Sequence, residues 1–242
     1  MAITLIRYPT REFEMKLFSC TGLVSVLLMS APLSAATQKA VRPDLSRIGD
    51  VKSWNLINAD ADAAVEQGKA VVRLKPQGPV AIASNIGLAT VAGLEFGEGT
   101  LEIDLKGKGK QQRSFVGVAF NVADGRTFEA VYFRPFNFVK KDKTFRDRAV
   151  QYVSWPDHPW ERLRSEHPRV FESAIKPVPD PAGWFHARVE VKKHKVSVWV
   201  DNSKEPCLIV DRLTGREKGK VGLWVDSHEA WFSNLTIRPA NP

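Results

Sequence analysis

Cysteine is scarce in this chain, with two among 242 residues, Cys20 and Cys207. Cys20 falls in an N-terminal leader, which leaves Cys207 without an internal disulfide partner, so a core must hold the fold together. Cys207 reads as a small apolar strand residue, because no base or cation beside it in sequence would activate a thiol. Long apolar runs are missing as well. The run Leu23 to Met29 is too short to cross a membrane as a helix. No segment sustains the 3.6-residue period of a long amphipathic helix. Nucleophile elbow, phosphate loop and C-x-x-C pair are all absent. The five histidines (His158, His167, His186, His194 and His228) lack tight ligand spacing, so the sequence points to no metal and names no cofactor.

What is present begins with that leader. Met15-Lys16 precedes the apolar run, and Ala31-Pro32-Leu33-Ser34-Ala35-Ala36 follows it with the small residues a signal peptidase requires. Residues 1–36 therefore read as an N-terminal extension and signal peptide. Cleavage falls near Ala35 or Ala36, the start is Met1 or Met15, and the destination is secreted or periplasmic. Residues 37–242 read as one domain with no membrane span. The formal net charge is +8. Its visible clusters, Lys106, Lys108, Lys110 and Arg113 and then Lys140, Lys141 and Lys143, read as solvated loops. Export and the lack of a clustered basic groove exclude nucleic acid as partner. An acidic polysaccharide is compatible with the charge.

Period-2 alternation runs through most of the domain. Leu101, Ile103 and Leu105 oppose Glu102, Asp104 and Lys106. Phe185, Ala187, Val189 and Val191 oppose His186, Arg188 and Glu190. Val196, Val198 and Val200 oppose Ser197 and Trp199, and Val221, Leu223 and Val225 oppose Gly222, Trp224 and Asp226. Gln67-Gly68, Asp124-Gly125, Asp201-Asn202 and Thr214-Gly215 supply the reversals. The pattern predicts an all-β fold, a two-sheet antiparallel β-sandwich with a long loop insertion. Phe128 to Arg134 is apolar on both faces and is predicted to be a central strand paired with Phe115 to Asn121. The insertion, Pro135 to Gly183, contains seven prolines and one clear strand, Ala149 to Ser154. Its aromatic content argues for an ordered binding loop.

Sugar sites on β-sandwiches combine flat apolar faces for the C–H side of a ring with planar polar groups for its hydroxyls. Trp199 and Trp224 sit on the polar side of alternating strands, as do Arg188 and Asp226. If those strands are neighbours, the four line one face; otherwise the insertion covers the tryptophans as a second core. Glu129 and Arg134 flank a buried strand and need partners, and a carboxylate is the simplest partner for Arg134. In Ala149 to Arg164, the stretch AVQYVSWPDHPWERLR, Trp155, Asp157 and His158 form a candidate rim, while Trp160 and Leu163 are expected to pin the loop down. Glu102-Ile103-Asp104 resembles part of the acid signature of laminarinase-type glycoside hydrolases. Lys106 and Gly107 stand where its second glutamate belongs, so these acids read as an exposed polar edge.

Three further motifs carry a broader resemblance. They are Phe128-Glu129-Ala130 after the strand Gly117-Val118-Ala119-Phe120-Asn121; Gly183-Trp184-Phe185-His186; and Gly219-Lys220-Val221-Gly222-Leu223 leading to Phe232-Ser233-Asn234-Leu235. Over Gly99 to Ile237 the chain resembles the concanavalin A-like lectin/glucanase superfamily, including its laminin G-like members. It is most similar to the secreted 3-keto-disaccharide hydrolase-type domains of bacteria. The resemblance implies a jelly roll and a site glutamate at Glu129; Trp224, Asp226 and Arg134 depart from the usual pattern. The expectation is a carbohydrate-binding sandwich that takes a glycan, acidic or neutral, on the concave face of one sheet. Trp155, Trp199 or Trp224 would stack, and Glu129, Arg134, Arg188 and Asp226 would read polar groups. The alternatives are a glycoside hydrolase of keto-disaccharides or oligosaccharides using Glu129 or Asp226, helped by His158, and a laminin G-like protein-interaction module.

Overall fold

A computed structural model describes residues 39–66, 68–78, 85–109 and 114–241. The leader assigned to residues 1–36 lies outside them. In chain order the strands are β1 (Trp54–Ile57), β2 (Ala59–Glu66), β3 (Lys69–Pro76), β4 (Ile86–Val91), β5 (Gly99–Lys106), β6 (Phe115–Val122) and β7 (Phe128–Phe133). They continue as β8 (Val150–Trp155), β9 (Glu172–Ser173), β10 (Phe185–Val191), β11 (Lys195–Val200), β12 (Leu208–Asp211), β13 (Lys220–Asp226) and β14 (Ala230–Pro239). Two short helices, α1 (Lys143–Arg146) and α2 (Trp160–Glu166), lie in the long segment between β7 and β10. No helix among the described residues is long and apolar enough to cross a membrane.

The strands form two antiparallel seven-stranded sheets. The first has the order β1-β4-β13-β6-β7-β8-β9 and the second β12-β11-β10-β5-β14-β3-β2. Between them lies the core, where Phe185 of the second sheet meets Phe133 and Phe138 edge-on, at centroid distances of 5.1 and 5.3 Å.

The two sheets differ in a way their sequences explain. β10, β11 and β12 bury every second residue, the mark of a sheet with one wet face. β6, β7 and β8 are buried almost residue by residue. One face of this sheet meets the second sheet, and residues 135–183 cover much of the other. That cover explains the continuous apolar run of β7, which sits between β6 and β8 as a central strand.

Register sets the site's floor. Gly117 of β6 lies between Trp224 of β13 and Tyr132 of β7 in one row across the first sheet. A Cβ at Gly117 would come within 2.2 Å of the Val131 carbonyl oxygen and 2.6 Å of the Tyr132 Cα. The missing side chain lets the strands close up, and Tyr132 stacks on Trp224 with centroids 4.6 Å apart.

Candidate functional site

A cleft of about 340 Å³ opens on the outward face of the first sheet. The end of β7 starts it. Pro135 cannot extend the strand and opens a short 3-10 turn, Pro135–Asn137, which swings Phe136 and Asn137 over the sheet. Asp142 then caps α1, accepting a bond from the Thr144 amide at 2.8 Å, and α1 leads to Arg148. α2 follows Pro159, anchored by the buried Leu163, and presents Trp160 and Arg164 to the cleft. Phe115, Asp226 and Ser227 complete the wall from the sheet. A deeper recess of about 20 Å³, room for a water molecule, shares Phe115, Trp160 and Asp226 with the cleft and ends on Tyr132, Trp155 and Trp224.

Arg134 lies in this wall, only 5% exposed. Its Nη2 donates to the Tyr132 hydroxyl at 2.7 Å and to Gln151 Oε1 at 2.5 Å, and its Nη1 donates to the Arg148 carbonyl at 3.0 Å. The guanidinium also lies over the rings of Tyr132 and Phe115, at 4.9 and 5.7 Å. Among the described residues no carboxylate pairs with it, which corrects the expected Arg134–carboxylate pair. Burial lowers the pKa of Arg134 and pushes the Tyr132 hydroxyl up to about 12, so Tyr132 stays neutral. Glu172, on the edge strand β9, pairs instead with Arg164 at 2.7 Å and Arg148 at 3.5 Å. Arg164 in turn lies 4.6 Å over the Trp160 ring.

Asp226 ends β13, with Ser227 Oγ donating to its Oδ1 at 2.9 Å. Burial raises its pKa to about 6. The sign of the linkage follows. A carboxyl that binds its proton more tightly when folded contributes stability that is fully present below the unfolded value of 3.8 and is lost as pH rises to about 6. The difference corresponds to about 3 kcal/mol. Asp226→Asn is therefore expected to be about 2–3 kcal/mol more stable than the parent at pH 7 and equal to it near pH 3. Guanidinium melts of both proteins at the two pH values check this; an equal gap at both would contradict it.

Glu129 stands apart from the cleft. Its register with Phe120 and Ser154 turns it toward the second sheet, whereas Asp226 and Arg134 face outward. It is fully buried and accepts from Asn121 Nδ2 at 2.8 Å, the Tyr152 hydroxyl at 2.6 Å and Arg212 Nη2 at 2.6 Å. Arg212, just after β12, is itself 4% exposed at the side chain. Burial pulls its pKa down, but the bond and charge of Glu129 outweigh that and leave it raised. Burial, with the Glu129 charge, drives the Tyr152 pKa well up. These groups clasp the two sheets together, and Glu129 and Asp226, the alternative catalytic candidates, lie on opposite faces of the first sheet.

Arg188 and Trp199 are also displaced from the expected face. They are cross-strand partners in the second sheet, with the guanidinium 4.1 Å over the ring, while Trp224 and Asp226 belong to the first. Strands with the same alternation join different sheets because non-local pairing decides, with β5 and β11 flanking β10. Glu102 and Asp104 lie on central β5, not an edge, and pair with Arg238 and with His186 and Asn234. Trp155 reaches the recess and stacks on Phe128 at 6.3 Å. Asp157 is exposed and His158 partly buried, and neither lines the cleft. Trp160, expected only to anchor, forms cleft wall. Arg148, Arg164, Asn137 and Phe136 were not anticipated; the signal available was the charge and aromatic content of the proline-rich insertion. Burial pushes the Cys207 thiol up to about 12, leaving it unreactive. Among the described residues no cluster of three or more His, Cys, Asp or Glu is placed to hold a metal ion.

The two packed antiparallel seven-stranded sheets define a β-sandwich of the jelly-roll type, with an aromatic and arginine-lined cleft on one sheet. More particularly, the chain belongs to the 3-keto-alpha-glucoside-1,2-lyase-like domain family, which matches residues 49–238. The carbohydrate-binding module CBM66 from Bacillus subtilis is similar in fold, with a TM-score of 0.53 at 13% identity, covering 78% of this chain and 97% of the module. A Bacillus subtilis protein of unknown function with a galectin-like fold gives 0.52 at 14% identity, covering 83% and 96%. A β-1,3-1,4-glucanase from a mouse hindgut metagenome gives 0.50 at 13% identity, covering 83% and 99%. No curated protein matches in sequence.

Proposed function

We propose that this is an exported sandwich domain, with a leader over residues 1–36, that binds a glycan in the cleft on the first sheet. The observation that carries the reading is the make-up of the cleft. Phe115, Phe136 and Trp160 offer flat faces to a sugar's C–H side, beside buried Arg134, Asn137 and Asp226 for its hydroxyls. The test is a screen of neutral and acidic oligosaccharides and keto-disaccharides that follows binding and turnover together. A ligand from that screen is expected to bind Trp160→Ala roughly tenfold more weakly. Undiminished binding in this variant would remove the cleft from consideration.

Asp226 favours a second reading, in which the domain acts on a 3-keto-glycoside. A carboxyl with a pKa of about 6 is largely ionised at neutral pH, yet basic enough to take the acidic C–H proton beside a ketone. Asp226 would accept that proton from carbon 2, and the electron pair would pass to the carbon 3 carbonyl oxygen. If so, Asp226→Asn lowers turnover by roughly a hundredfold or more. An absence of turnover on 3-keto-disaccharides by the parent protein would end this reading and leave the first intact.

A further inference from the structure

We propose that the sugar held in this cleft carries a carboxylate, as in a uronic acid, and that Arg134 is the residue that reads it. This rests on the carbohydrate reading and adds the class of sugar.

The charge on Arg134 is the first ground. A buried cation is costly unless an anion compensates it. Of the nearby acids, Glu172 holds Arg148 and Arg164, Glu129 holds Arg212 on the other side of the sheet, and Asp226 shares the cleft wall without pairing with Arg134. Arg134 is left with two neutral side chains, a backbone carbonyl and two ring faces. Its three bonds leave two of the five guanidinium N–H groups without a protein acceptor among the described residues. A cleft that keeps such a charge against the interest of stability is built for an anion.

The second ground is independent of charge. Asn137 Oδ1 is buried on the cleft wall and the Trp224 indole N–H is buried at the recess, and neither has a hydrogen-bond partner. An unpaired acceptor and an unpaired donor suit a ligand whose hydroxyls both give and accept. Together with the ring faces, they call for a sugar rather than a bare anion. The cleft and its backing hold three guanidiniums, of Arg134, Arg148 and Arg164, against two carboxylates, of Asp226 and Glu172.

The test uses the full domain and calorimetric titration with uronate trisaccharides (galacturonate, glucuronate and mannuronate), their methyl esters and sulfated counterparts. The ester keeps the ring and removes only the charge. At least one free acid is expected to bind roughly ten- to hundredfold tighter than its ester. Arg134→Gln should erase that preference, so that the free acid binds no more tightly than its ester. Asp226→Asn, which removes the opposing carboxylate, should increase the preference, and it serves if Arg134→Gln does not fold. Esters binding as well as acids, sulfated sugars binding more tightly, or a preference that survives Arg134→Gln or is unmoved by Asp226→Asn would overturn the proposal while the carbohydrate reading stands. Failure of every sugar, neutral or acidic, would overturn both.

Discussion

Glu129→Ala is expected to cost about 3–5 kcal/mol of folding stability, a fall in melting temperature on the order of 10 °C. The substitution leaves Arg212 buried without its counter-charge, and it strands the Tyr152 hydroxyl and the Asn121 amide, which both donate to the same carboxylate. The loss comes from uncovering a charge rather than from removing an intrinsically strong bond. Replacing both partners by apolar residues, Glu129→Leu with Arg212→Met, should therefore recover most of the stability. Chemical denaturation of the two single variants and the double variant gives the answer. An unfolding free energy for Glu129→Ala within about 0.5 kcal/mol of the parent would show that the clasp does not hold the sheets.

Trp224→Ala carries the second large effect, about 3–5 kcal/mol, because it empties the space beside Tyr132 in a row that Gly117 has already narrowed. Trp224→Phe separates packing from recognition. It keeps a ring on Tyr132 and deletes the unpaired indole N–H, so stability should change by less than about 1.5 kcal/mol. Sugar affinity should still weaken roughly tenfold through the lost donor. Full affinity in the Phe variant would mean that the N–H meets only water.

The sequence made the second sheet easy to read, because β10 and β11 each show water on one side. It also marked β7 as central, since a strand that is apolar on both faces must be covered on both. Membership of a sheet was less legible. Trp199 and Trp224 each stand among alternating valines, and only long-range pairing sends one to each side of the sandwich. The same limit hid the partner of Glu129, which lies 83 residues away. Arg134, Trp155, Trp224 and Asp226 could be picked out because each is polar or aromatic at the outward end or face of a first-sheet strand. Arg148 and Arg164 could not, since a guanidinium in a proline-rich loop looks the same whether it faces solvent or a cleft.

The covering of the first sheet by residues 135–183 bears on how this domain could be re-engineered. Deleting the segment would not yield a smaller soluble sandwich. It would take β8 and β9 out of the first sheet and bare Phe128, Ala130 and Tyr132 on the outward face of β7 as an apolar patch open to aggregation. Exchange is the workable route. Transplanted stretches on either side of β8 that hide those residues but carry different side chains at 148, 160 and 164 would redirect sugar preference and leave the strands in place.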